Sequence, residues 1–124
     1  IAARFEPWDL VLDSDGAALA AWQVSVACEG GAAVSLVGIE GGTPAVFHEP
    51  PDYDPEAHRS RRIVLANFSL ADAAELPTEP FRATTLHLQV EGSMPDLSVR
   101  IDAAAGPDGR PIPVHAELRR RATP

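Results

Sequence analysis

The stretch Leu19–Cys28, LAAWQVSVAC, decides the fold class. Trp22, Val24, Val26 and Cys28 fall on one side of an extended chain, and Gln23 and Ser25 fall on the other. Successive side chains of a strand point to opposite faces, so this alternation predicts a half-buried β-strand. Outward from it the same period of two recurs. Phe5 to Leu12 carries Trp8, Leu10 and Leu12 on one face, and Pro7 suits an edge position that needs no backbone donor. Asp13-Ser14-Asp15-Gly16 links these two runs with turn-forming residues.

Glu29-Gly30-Gly31 leads into Val34 to Ile39, which ends at Gly41-Gly42, so a meander or hairpin pairing among the first three strands is expected. Ile63 to Leu70 is nearly continuous in apolar residues and is expected in the middle of a sheet with both faces covered. Phe81 to Val90 alternates, with Leu86, Leu88 and Val90 facing in and His87 and Gln89 facing out. Leu97, Val99 and Ile101 mark a further strand, Pro107-Asp108-Gly109 turns it, and Ile112, Val114, Ala116 and Leu118 mark the last. No stretch has the period of an amphipathic helix. The chain is therefore expected to be one all-β domain over residues 1–124, with a core over about 5–118. Its architecture is expected to be an antiparallel two-sheet β-sandwich of jelly-roll type, with about seven to nine strands.

Length and composition agree with one core. A chain of 124 residues buries roughly two-thirds of the surface its unfolded form exposes, and 45% hydrophobic residues is ordinary for a globular fold. No apolar run approaches the roughly 18 residues of a membrane span. The formal charge of -8 argues against nucleic acid, because binding phosphates requires a basic surface. All basic residues are Arg, gathered partly at Arg59/Arg61/Arg62 and Arg119/Arg120/Arg121, where a solvated cluster is the simplest reading. The single cysteine, Cys28, excludes an intrachain disulfide, and its place in the apolar series of the second strand marks it as a buried structural thiol.

From Thr43 to Arg62 the pattern lapses into a Pro-rich connection, and connections of this length are usually functional, mobile or conceal a short element. Asp54-Pro55-Glu56-Ala57 has the residues to open one helical turn. His48, Glu49, Asp52, Asp54, Glu56 and His58 are of metal-ligating and acid/base types, but their spacing fits no established site, and a solvated acidic loop accounts for them. Asp13-Ser14-Asp15-Gly16 opens like a calcium loop, yet the closing acid of a twelve-residue loop is replaced by Val24. No nucleophile motif and no phosphate-cradling glycine loop is present. No catalytic residue, cofactor or metal is expected.

Four segments together resemble cohesin-type modules and the related carbohydrate-binding sandwiches: Leu19–Val26, Val34–Gly42, Ile63–Ser69 (IVLANFS) and Ala83–Val90 (ATTLHLQV). The likeness runs from about Phe5 to Leu118 and lies in the succession of strands; no dockerin-recognition residues are carried over. It implies a non-catalytic interaction module of an envelope or secreted protein, outside the cytoplasm, that holds a protein partner. The alternatives are a carbohydrate-binding module that holds a polysaccharide, and a structural spacer without a ligand. The residues expected to meet a partner are Phe47, Asp52, Tyr53, Asp54 and His58 of the Pro-rich connection, because exposed aromatics anchor both sugars and proteins. Trp8 and Trp22 fit the apolar alternation and are expected in the core.

Overall fold

The computed structural model describes residues 3–54 and 61–121. Eight strands form two antiparallel sheets of four: β1 (Arg4–Asp13), β2 (Ala21–Glu29), β3 (Ala33–Glu40), β4 (Asp52–Tyr53), β5 (Arg62–Phe68), β6 (Phe81–Glu91), β7 (Asp96–Ala105) and β8 (His115–Arg120). The first sheet runs β3-β6-β1-β8 and the second β4-β5-β2-β7. Pairing is nested: β1 lies beside β8, β2 beside β7, β3 beside β6 and β4 beside β5. Pairs β1–β6 and β2–β5 complete the sheets. This is the all-β, two-sheet sandwich expected from the alternation.

The core is the inner face of both sheets, and the alternating residues supply it. Leu10 and Leu12 of β1, Trp22, Val24 and Val26 of β2, Ile63 and Leu65 of β5, and Leu86, Leu88 and Val90 of β6 are buried together. Each such side chain contributes about 1.5–3 kcal/mol of burial free energy. Trp8 packs half-buried against this cluster and Trp22 is inside it, as their positions in the alternation require. Cys28 is also buried, and burial pushes its thiol pKa up against a smaller opposing pull from Arg61.

Two expectations are corrected. The first three strands do not form a meander: β1 and β3 belong to one sheet, β2 to the other, and none of the three pairs with another. Among the described strands, only β4 and β5 follow one another within one sheet. Alternation specifies which face of a strand is buried, and says nothing of which strand lies beside it. Nor is β5 covered on both faces. Ile63 and Leu65 point into the core, whereas Val64 and Phe68 point out of the sheet, with Phe68 63% exposed and Leu70, just past the strand, 92% exposed. No layer of the described residues covers that outer face.

The Pro-rich connection contains a 3-10 turn at Ala45–Phe47 and the two-residue β4. The turn is held close by Gly41 and Gly42: Gly42 N–H donates to the Phe47 carbonyl at 2.7 Å, and a Cβ on Gly41 would lie 1.7 Å from the His48 carbonyl oxygen. The helical turn expected from Asp54-Pro55 falls outside the described residues beyond Asp54. Asp13–Gly16 is a turn closed by its own side chains, with Asp15 N–H donating to Asp13 Oδ1 and the Ser14 hydroxyl donating to the Ala17 carbonyl.

Candidate functional site

The two outer faces of the sandwich differ in chemistry. On the first sheet, polar side chains satisfy one another. Thr85, fully buried at the surface of β6, donates to Asp9 Oδ1 at 2.6 Å and accepts from Arg82 and Arg121 at 2.8 Å each. Arg121 also bonds Asp9 at 2.7 Å, and His87 Nε2 lies 2.6 Å from Glu40. Burial pushes the Asp9 carboxyl upward, but the Thr85 and Arg121 hydrogen bonds and the Arg121 and Arg82 charges outweigh it, so its pKa is lowered. Around Asp9 and Thr85 this face is a closed polar network, while Phe5, toward the start of β1 on the same face, is 67% exposed.

On the second sheet, strand register builds something else. Gln23 of β2 stands opposite Ala66 of β5 on one side and Ala103 of β7 on the other, and Asp52 of β4 extends the row beyond Ala66. One step along the strands, Ala21 stands between Phe68 and Ala105, and Pro111 bridges back to Ala105. Four alanines from three strands therefore lie together on the outward surface. Their short side chains leave the sheet sunken between a wall of Phe68 and Asp52 and a wall of Gly109 and Pro111. The result is a groove of about 590 Å³. The turn that carries the second wall is fixed by Gly106 N–H donating to the Arg110 carbonyl and by Gly109, whose φ of 80° a side chain would strain.

A polar seam closes one end of the groove. The Ser25 hydroxyl donates to Asp102 Oδ2 at 2.5 Å, Arg62 donates to Ser25 Oγ at 3.0 Å, and Arg100 Nε donates to Asp102 Oδ1 at 3.1 Å. The Ser25 hydrogen bond is the main reason the Asp102 carboxyl lies below its ordinary range; burial opposes it, and hydrogen bonds from Arg100 and Gln23 add to it. Beyond the seam lies a smaller hollow of about 260 Å³, bordered by Arg62, Arg100, Ser98 and Glu29.

The residues expected to meet a partner are dispersed by this geometry. Phe47 is a correction: it is 1% exposed and stacks on Phe81 with ring centroids 5.9 Å apart, because the Gly41-Gly42 contact tucks its turn inward. Asp52 is exposed and lines the groove. Tyr53 pairs with Leu65, a core position, so it lies on the inner side at the sheet edge and not on the groove, although 42% exposed. Asp54 is exposed just past β4, and His58 lies outside the described residues. His48, the other histidine of the acidic stretch, has Nδ1 2.7 Å from the Ala45 carbonyl. Among the described residues no group of three or more His, Cys, Asp and Glu is placed to hold a metal ion. No helix is long and apolar enough to cross a membrane.

Reading the sequence missed Ala21, Ala66, Phe68 and Ala103. Alanine carries no chemical signal alone, and only register brings these four together. The signal in the sequence was the outward set of β5, where Val64, Ala66 and Phe68 stand at positions that a half-exposed strand normally fills with polar residues.

No protein-family model matches the chain, no curated protein is similar to it, and no solved structure matches it. The likeness to cohesin-type modules and carbohydrate-binding sandwiches thus stands, beyond the two antiparallel sheets, on the sequence pattern alone.

Proposed function

We propose that this chain is a non-catalytic interaction module that holds an extended segment of a protein partner on the outer face of its second sheet, in an envelope or secreted protein. The observation that carries the reading is the alanine-floored groove bordered by exposed Phe68. Outer faces of antiparallel sheets are normally polar, and apolar outward positions beside a cavity mark surfaces that a partner covers. On the first sheet the hydrogen-bonded Asp9, Thr85 and Arg121 fill the middle of the outer face, which supports the assignment to the second.

A carbohydrate-binding role is the second reading. It is favoured by the combination of one exposed ring, Phe68, with the Gln23 amide and the Asp52 carboxylate at the same hollow. Sugars stack on rings and hydrogen-bond to such groups.

Site-specific photocrosslinking in the native cells tests the proposal. A photoreactive residue replaces Ala66 in the groove, with the same residue at Gln89 on the opposite face as control. A discrete protein adduct from position 66 that vanishes on adding Ala103→Arg is expected. Identical background from both positions would defeat the protein reading, and a glycan-array signal lost in Phe68→Ser would replace it with the sugar one.

A further inference from the structure

We infer that the segment held in the groove carries a basic residue and, four residues away, an acidic one; this rests on the protein-segment reading above. The two hollows of the outer face have opposite charge. The larger is lined by Asp52 and Asp102 and by no basic residue. Asp102 is already engaged by Ser25, Arg100 and Gln23. The Asp52 carboxylate has no ion-pair or hydrogen-bond partner among the described residues. A methylene stem on an alanine floor with a cationic head at its rim is the natural posture of a bound Lys or Arg side chain. The smaller hollow is bordered by Arg100, whose side chain is 67% exposed although its Nε holds Asp102, and by Arg62. Glu29 stands at its far end. A carboxylate placed beside Arg100 meets exposed guanidinium donors.

The spacing follows from the strand beneath. Gln23 marks the alanine row of the larger hollow and Ala27 lies in the smaller one, four residues further along β2. At about 3.4 Å per residue the centres are about 14 Å apart. An extended peptide lying along β2 presents its same-face side chains every second residue, so positions i and i+4 fall over the two hollows. The residue between them lies over the Ser25–Asp102 hydrogen bond, which separates the two hollows, with Ser25 lining the smaller and Asp102 the larger. A neutral or uniformly charged segment leaves one hollow unmatched.

Selection from a displayed library of random nonapeptides on the intact chain tests this, followed by affinity measurements with synthetic copies of the enriched sequences. Enriched peptides are expected to pair Lys or Arg with Asp or Glu four positions apart, in either order. Their affinity is expected to fall about fivefold in Asp52→Asn and in Arg100→Gln, the scale of an exposed ion pair. It should disappear in Ala103→Arg, with thermal melting of each variant near that of the parent. Peptides that lose binding to Ala103→Arg but lack the charge pair, or that ignore Asp52→Asn and Arg100→Gln, would overturn the charge assignment and leave the groove reading intact. Enrichment insensitive to Ala103→Arg, or none at all, would overturn this inference, and the crosslinking experiment then judges the groove reading by itself.

Discussion

The Ser25 hydroxyl and the Asp102 carboxylate, 77 residues apart in the chain, share a 2.5 Å hydrogen bond across the β2–β7 pair. Two arginines complete the seam, Arg62 on Ser25 and Arg100 on Asp102. It ties the edge strand β7 to the centre of the second sheet on the side where no other layer covers it.

Acid sensitivity follows from this bond. The Asp102 pKa is lowered in the folded state, chiefly by Ser25, so its contribution to stability is fully present above the unfolded value, near 3.8. That contribution is lost as the pH falls through the lower folded value. Urea midpoints measured from about pH 5 down to about pH 2 should fall, and fall less steeply in Asp102→Asn. The slope should not vanish there, because the Glu6 and Asp9 pKa values are lowered as well. Parallel profiles for the two proteins would show that the bond does not stabilise the fold.

Glu6 is the one acid buried on the inner face among the described residues. It is 1% exposed and held by Arg4 at 2.6 Å, the Trp8 indole N–H at 3.1 Å and Arg120 at 3.7 Å. Burial pushes its pKa up, but these hydrogen bonds and charges outweigh burial. Glu6→Ala leaves two guanidinium groups and an indole donor facing each other, and should cost about 2–3 kcal/mol in chemical unfolding followed by tryptophan fluorescence. Glu117→Ala, which breaks an exposed pair with Arg119, should leave the midpoint where it was.

Gly41 and Gly16 are glycines for different reasons. A Cβ at Gly41 meets the His48 carbonyl at 1.7 Å, and backbone cannot yield as a side chain can, so Gly41→Ala should cost about 3 kcal/mol or more. At Gly16 nothing lies within 4 Å, and only its φ of 89° opposes a side chain. Gly16→Ala should cost about 1 kcal/mol by thermal or urea unfolding.

Phe47 and Phe68 should separate stability from binding. Phe47→Ala removes a ring buried against Phe81 and should cost about 3–5 kcal/mol. Phe68→Ala removes an exposed ring and should change stability by less than about 0.5 kcal/mol, while weakening whatever the groove holds. Equal losses of stability in both variants would place Phe68 in the fold and not in the site.

The periodicity of Leu19–Cys28 and Phe81–Val90 determined the all-β class and most of the core, because the faces of a strand alternate strictly and the apolar face must be buried. The turns at Asp13–Gly16, Gly30 and Gly109 were legible for a similar reason: each needs a backbone or side-chain geometry that few residues supply. Pairing was not legible. A pattern of period two is the same whether β2 lies beside β1, β3, β5 or β7, and the tertiary structure chose β5 and β7. That choice places Ala21, Ala66, Ala103 and Ala105 on one surface. It also brings Asp102 to Ser25. The sequence by itself determined which side of the alternating strands meets water, though not of β5, whose nearly continuous apolar run hid its exposed face. Only the tertiary structure decided which outward residues become neighbours, because strand register is set by the packing of the whole sandwich and not by any one segment.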